Sequence, residues 1–521
     1  MDTVQSIRPP RRRVYRLFAL SASPEAVATR RGARAVVAIA ASLTALTAWS
    51  NAVQAETIQS ALARAYESNP QLNAQRAIVR QTDEGVPQAL SGYRPTIRAN
   101  AALGTGYTDF SVGGIPVAGT TGTVQFGFFP ITINSASTHT SIDTKGPSNF
   151  NAVGLTAQQS LYDAKTPAQT RAAESQVSAA RETLRVIEQS VLLSAASAYM
   201  DVLRDTANLE VQRSSVLVLQ KMLKDTRSRR AAGEIPQTDV AQAEAHLAAG
   251  EASVAAAEAT LMATRANYLR IIGSDPDKLL PAAPVDNLSP RTLDLSIAQS
   301  RVENPSVTAA VYGVNVAELQ VKIAESGLYP TLLLQGNIQD FNFQTTNTLD
   351  ANSLSRTKFF DSSVWLRLNV PIYEGGREYS IIRQTKEAIG QQEFNLEQVR
   401  KQVRANVVQF WGQADATKVE VAAAERQVKA AESVLDGVRD EARLGQRTTL
   451  DVLNAQQALV NARVSLIAAQ HDRVVTSYNL LSAVGRLSAS VLHLPVDIYD
   501  PAVHYSQVRD SWIGIRTPDG R

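Results

Sequence analysis

The chain of 521 residues contains no cysteine, which excludes disulfides, thiolate metal sites, a cysteine nucleophile and a lipid-acylated cysteine together. Histidine is scarce as well. His139, His246, His471, His493 and His504 are scattered, and no two of them share a helix face at a metal-ligating spacing. Neither a glycine-rich phosphate cradle ending in Gly-Lys-Ser/Thr nor a Gly-x-Ser-x-Gly nucleophile turn occurs. The sequence therefore predicts no enzyme, no cofactor and no metal site. Aromatic residues make up 6% and charged residues 19%, while the 44% hydrophobic share is ordinary, so neither disorder nor a polytopic helical membrane protein fits. Beyond residue 55 no stretch offers 18 uninterrupted apolar residues; membrane contact would have to come from strands.

The net charge of +3 is misleading. Eight arginines stand against only Asp2 and Glu25 in residues 1–55, and without that segment 44 basic residues face 47 acidic ones, a net of −3. Arg30, Arg31 and Arg34, the apolar stretch Ala35 to Trp49 and the small-residue site Val53-Gln54-Ala55 read as an export signal cleaved after Ala55.

What the rest of the chain has is a repeat. Ala63–Thr96 matches Ala298–Thr331 at an offset of 235, Val153–Tyr162 matches Val364–Tyr373 at 211, and Gly233–Gly273 matches Gly445–Gly485 at 212. Asn69-Pro70 falls on Asn304-Pro305, and Asp239-Val240 on Asp451-Val452. The offset drops between about Gly104 and Ser148, where the first half carries a longer segment read as an external loop; an ordinary solvated insertion without a ligand is the first reading, and its Phe126, Phe128 and Phe129 extending a strand or capping a mouth the second. The reading divides the chain into a leader (1–55), a first repeat (56–290), a second repeat (291–488) and a C-terminal extension (489–521).

Each half predicts the same elements: a helix broken at Asn-Pro, a strand starting at Pro-Thr, a loop, a second strand, a very long helix, a Gly turn and a returning helix. Val364, Leu366, Leu368, Val370 and Ile372 alternate with Trp365, Arg367 and Asn369, as Ile97, Ala99, Ala101 and Leu103 do with Arg98 and Asn100. Ala168–Ala232 lacks Pro and Gly, and Pro is absent between Pro371 and Pro495, so each half has room for a helix of about 65 residues, roughly 100 Å long. Returning helices of about 36 to 40 residues, stacked on pre-strand segments of about 23, would nearly match that height. Alanines such as Ala241, Ala243, Ala245, Ala248, Ala249 and Ala252 suit close helix approach. Gly85 and Pro87 stand where the second half has Gln320 and Lys322, predicting a kink in the first half only.

The fold class expected is mainly α with membrane β: tandem-duplicated long antiparallel coiled helices plus four strands. Hydrocarbon tolerates no open sheet edge, and four strands are too few to close. Three copies would give a twelve-stranded barrel wide enough for a channel. A periplasmic coiled-coil adaptor or scaffold without a pore is the competing reading, since long hairpins alone serve both.

The duplicated Asn-Pro helices, Tyr93-Arg94-Pro95, Tyr329-Pro330 and above all Gly445-Gln446-Arg447-Thr448-Thr449-Leu450-Asp451-Val452-Leu453-Asn454-Ala455 resemble the TolC family of outer-membrane efflux and secretion ducts. The stretch from Leu494 to Arg521, with Tyr499-Asp500-Pro501 and Val508-Arg509-Asp510-Ser511-Trp512, is similar to members working in type I protein secretion. The resemblance implies a homotrimer in outer-membrane lipid with a periplasmic helical tunnel, docking to a periplasmic adaptor protein and an inner-membrane transporter, with no nucleic-acid partner. It implies that Gly233 and Gly445 are tip turns and that Asp451 and Asn454 mark a constriction, Asn454 standing where many members carry a second Asp. Arg447 resembles the arginine that ties the closed tip, with Asp239 as its acidic partner. A plainer reading stands beside this one: Asp451 and Asp239 suit the first turn of a helix, and Arg447 suits a solvated turn.

Overall fold

The computed structural model describes residues 56–115, 122–126, 129–133, 140–346, 354–518 and 520. The expected leader and Phe128 lie outside them.

The first helix, α1 (Ile58–Ser68), starts in a capping box in which Thr57 Oγ1 accepts from the Ser60 amide. It ends at Asn69, whose Oδ1 accepts from the Gln71 amide at 2.9 Å and so caps α2 (Pro70–Asp83). Pro70 occupies the first helical position, where its missing N–H is no loss. The second repeat does the same at Asn304, capping α7 (Pro305–Glu325) after α6 (Leu293–Glu303). As expected, the first half is interrupted: α2 ends at Asp83 and α3 (Gly85–Leu90) follows, while α7 runs unbroken. Pro87 falls in the first turn of α3, where its ring obstructs no preceding turn.

The long helices α4 (Lys165–Ala231) and α8 (Arg377–Arg443) have 67 residues each, and the returning helices α5 (Gln237–Ile272) and α9 (Thr449–Val484) have 36 each. Both hairpins turn on a left-handed glycine, Gly233 and Gly445, each at φ 80°. The Glu234 and Gln446 amides then reach back to the Arg229 and Glu441 carbonyls, satisfying groups that the helix ends would leave bare. Returning and pre-strand helices meet end to end. Asn69 Nδ2 donates to the Ile271 carbonyl at 3.0 Å, and Asn304 Nδ2 to the Ala483 carbonyl at 2.9 Å. Each repeated Asn thus caps one helix with its oxygen and closes another with its nitrogen.

The main core lies where these columns join. Tyr199, Leu192 and Ala195 of α4 pack with Leu62 and Tyr66 of α1, Tyr268 of α5 and Leu481 of α9, and the C-terminal Leu487 and Leu494 complete it. Tyr199 Oη lies within hydrogen-bond reach of the Glu56 and Leu280 carbonyls, tying α4 to both the start of the described chain and the inter-repeat linker. Of the alanines expected to permit close approach, Ala243 is packed against Leu219, Leu223 and Leu453, whereas Ala241, Ala245, Ala248, Ala249 and Ala252 are exposed. They lie on faces of α5 that no element among the described residues covers. The C-terminal α10 (Pro501–Val508) packs along α2, held by a 2.9 Å contact from His504 Nδ1 to Asp83.

Strands β1 (Thr96–Ile115), β4 (Thr140–Tyr162), β5 (Thr331–Thr346) and β6 (Leu354–Asn369) form one antiparallel sheet in the order β1-β4-β5-β6. A short hairpin, β2 (Gly122–Phe126) with β3 (Phe129–Ile133), lies between β1 and β4. The loop expected over 104–148 is therefore largely sheet: pairing runs from Gly104↔Phe150 to Val112↔Ile142 without a break. A composition of Gly, Ser, Thr and Asn reads as loop, but ladder hydrogen bonds come from the backbone and override it once a partner strand is in register.

Candidate functional site: a two-faced sheet and a helical tip

The side chains of β4 alternate strictly between exposed and sheltered from Lys145 to Gln158, every odd-numbered residue being exposed. The face bearing the odd residues is apolar in its helix-proximal half and turns polar beyond Val153, where Asp340, Asn151, Asn342, Asn149 and Gln344 share it. Pairing places Ile97 and Leu103 of β1, Val153 and Leu155 of β4, Leu334 and Ile338 of β5, and Val364, Leu366 and Leu368 of β6 on it. Exposure is high: Leu103 87%, Val364 77% and Leu366 63%. Along β6 the band runs from Val370 to Phe360, interrupted by Ser362, and gives way to Lys358 and Arg356. That is about 33 Å of strand, or roughly 25 Å of height at the ~40° tilt usual in barrels, which matches a hydrocarbon band. Tyr93, Tyr162, Tyr329 and Tyr373, all about half exposed or more, stand at the helix-proximal ends of the four strands. Aromatic rings with a polar tip belong at such a boundary.

The opposite, more sheltered face is polar. Thr156 Oγ1 donates to Asn337 Oδ1, Asn337 Nδ2 to Asp361, Ser363 Oγ to Asp361, and Trp365 Nε1 to Ser363, crossing three strands. Above this network on the same face stand Phe150, Phe341, Phe343 and Phe359. The rings of Phe150 and Phe341 stack at 6.4 Å, and those of Phe341 and Phe343 at 6.3 Å. Phe150 lies over Gly104, where a Cβ would come within 2.4 Å of the ring. Sequence reasoning missed this group; the signal was there, since Phe341 and Phe343 are two apart and fall on the parity of Asn337, not of Ile338.

An apolar face turned outward with a polar one sheltered reverses the arrangement of a sheet in water. Burying an apolar side chain is worth about 1.5–3 kcal/mol, so the outward face requires a non-aqueous neighbour. The edges β1 and β6 have no strand beside them among the described residues, a condition hydrocarbon does not permit.

At the tip, Asp451 completes a capping box for α9: its Oδ2 accepts from the Thr448 amide and hydroxyl, each at 2.9 Å, while its own amide donates to Thr448 Oγ1. The backbone amide of Thr448, then its hydroxyl and the charge of Arg447, hold the Asp451 carboxyl below its ordinary value. The plainer reading of Asp451 is thus realised, and it leaves the carboxylate charged. Asn454 is exposed one turn further along α9. Arg447 Nε donates to Glu441 Oε2 at 2.8 Å across its own Gly445 turn. Within the chain its partner is therefore Glu441 and not Asp239, because a six-residue turn brings Glu441 to it whereas Asp239 sits on the other hairpin, in the first turn of α5. The two hairpins are joined nearby by Leu453, which packs into the Leu219, Leu223 and Val240 cluster.

A second group unforeseen from sequence ties the repeats together. His471 of α9 contacts Asp201 of α4 through Nε2 at 3.0 Å and Asp472 through Nδ1 at 2.8 Å. Burial opposes the charged ring, but the two carboxylates outweigh it and raise its pKa.

A sheet apolar outside, polar inside and open at both edges, standing on hairpins about 100 Å long, defines a subunit of an oligomeric membrane duct. Residues 57–274 and 296–486, one stretch in each repeat, match the family described as outer membrane efflux protein, and the chain belongs to that family. It is 37% identical over 495 residues to the outer membrane efflux protein BepC of Brucella suis, covering 94% of this chain and 99% of that protein. Identity to the outer membrane protein TolC of Vibrio cholerae is 26% over 344 residues, 66% of this chain and 78% of that one. In fold it is similar to the outer membrane channel CmeC of Campylobacter jejuni, with a TM-score of 0.66 at 14% identity, covering 87% and 89% of the two chains. The protein is thus an outer-membrane channel subunit with a periplasmic helical tunnel.

Proposed function

We propose that three copies close their sheets into one twelve-stranded barrel, with the helices continuing it as a tunnel across the periplasm, and that cargo passes through without chemistry on the way. The observation that carries this reading is the division of the sheet into an exposed apolar face and a sheltered polar one, with both long edges open. Twelve strands about 4.8 Å apart at ~40° tilt make a ring roughly 24 Å across between backbones, enough for a wet bore. With no nucleotide motif in the chain, driving energy comes from a partner; an inner-membrane transporter acting through a periplasmic adaptor fits the height of the tunnel. At the tip the three Asp451 carboxylates attract cations and Arg447 with Glu441 stiffens each turn, so that the Gly233 and Gly445 ends form the narrow part. A wide aqueous tube selects little, which leaves the choice between protein and small-molecule cargo to the pump. Reconstitution of the purified protein in planar bilayers tests the proposal: discrete, cation-preferring conductance steps are expected, and a protein that binds membranes without conducting favours the adaptor or scaffold reading.

A further inference from the structure

The duplication that organises this chain also carries the geometry of a contact between two copies of it. The offsets of 235 and 211 take β1 onto β5 and β4 onto β6. Applied to the first hairpin, they turn Thr96↔Gln158 into Thr331↔Asn369, and Leu103↔Asn151 into Ile338↔Ser362; both are pairs of the second hairpin. The two hairpins share one register, residue for residue. Between them runs a seam, β4 against β5, which pairs Leu155 with Ile338, Asn151 with Asn342 and Ser148 with Thr345. The repeat equivalent of that seam joins β6 to a β1. Within one chain these are the two outer edges of the sheet, so the β1 has to come from another copy.

We propose that β6 pairs antiparallel with β1 of a second copy in the register these offsets dictate. Leu366 then lies opposite the partner subunit's Leu103, Val364 opposite the partner subunit's Thr105, Ser362 opposite the partner subunit's Tyr107, and Phe359 opposite the partner subunit's Phe110. The proposal rests on the closed-duct reading above and adds which residues meet.

Side-chain chemistry agrees with the register. It keeps even residues of β6 and odd residues of β1 on the lipid side, so Leu366 and Leu103 extend the apolar band across the joint; a slip by one residue would exchange the faces. On the sheltered side Asp361 falls opposite the partner subunit's Thr108, so the carboxylate meets a polar residue, one whose hydroxyl donates to Ser148 within its own sheet. Neither β1 nor β6 contains a proline, so no ladder donor is missing along either edge. A slip by two residues would also preserve the faces. The repeat is what selects among these.

Because the chain lacks cysteine, paired cysteines report this contact without background. Directly opposed Cβ atoms are about 4.5–5.5 Å apart and diagonal ones about 7–8 Å, and only the former come near the distance a disulfide spans. The full chain in native membranes would carry Ser362→Cys with Tyr107→Cys, or Leu366→Cys with Leu103→Cys in case the first pair folds poorly, and be oxidised with copper phenanthroline. Covalent dimers and trimers are expected on non-reducing gels from these pairs, and none from Ser362→Cys with Thr105→Cys or with Asp109→Cys. Cross-linking from an offset pair but not a matched pair would overturn the register and leave the closed duct standing. No product from any pair, in a particle whose mass is three chains, would overturn strand pairing as the joint. A particle of one chain would instead remove the reading on which the proposal rests.

Discussion

Asn304 and Gly485 approach so closely that a Cβ at Gly485 would lie 2.5 Å from the Asn304 Cα. Gly485 also sits at φ 98°, in the left-handed region, so it ends α9 and admits the next column in one step. At its repeat counterpart Gly273, at φ 88°, a Cβ would meet only the Ser68 side chain, its hydroxyl at 3.1 Å. Gly273→Ala should therefore cost about 1–2 kcal/mol from backbone strain alone. Gly485→Ala should cost more, since backbone must also move. Thermal unfolding followed by circular dichroism checks the order; equal losses at the two sites would mean that the second junction yields freely.

His471 predicts a pH dependence of the same kind of measurement. Its folded pKa is raised above the ordinary 6.5, burial being outweighed by Asp201 and Asp472 while Arg204 opposes them. A raised folded value means that the stabilisation is fully present below the unfolded pKa and is lost as pH rises through the folded one. The unfolding temperature should fall as pH climbs upward from about 6.5, and His471→Gln should flatten that part of the profile. A variant that keeps the wild-type slope would assign the dependence to other groups.

The two roles of Asp451 separate by substitution. Asp451→Asn keeps an oxygen for the Thr448 amide and hydroxyl but removes the charge, so it should weaken block by multivalent cations from the tip side while leaving helicity unchanged. Asp451→Ala and Arg447→Ser should raise single-channel conductance or leak, the first by removing charge and cap, the second by freeing the turn from Glu441. Wild-type conductance and block in all three variants would place the constriction elsewhere.

The phenylalanines on the sheltered face bear on the upper part of the bore. Each ring projects about 6 Å into an opening roughly 24 Å between backbones. Phe341→Ala with Phe359→Ala should widen it and increase conductance measurably. Unchanged conductance would show that the limiting section is at the tip alone.

Much of this was legible in the sequence because the duplication supplied two copies of each signal. A helix without Pro or Gly from Ala168 to Ala232 became α4, and the repeated Asn-Pro and Gly positions became the caps and turns that joined the columns. The kink expected near Pro87 came at Glu84, because a proline is tolerated just inside a new helix. What failed depended on contacts remote in sequence. Residues 104–112 and 142–148 read as loop because composition says nothing of a partner strand. The family pattern points Arg447 to Asp239, and does not announce Glu441, the acid that the turn itself brings to it within the chain. The clasp between His471 and Asp201 joins residues 270 positions apart, one from each repeat, and no local spacing announces it.

The mass of the detergent-extracted particle, measured by light scattering with the detergent contribution removed, decides whether the open sheet edges are closed by neighbouring copies. Three chains per particle is the result expected if neighbouring copies close the open edges into a twelve-stranded barrel. A stable single chain in detergent, its sheet already closed on itself, would contradict the account.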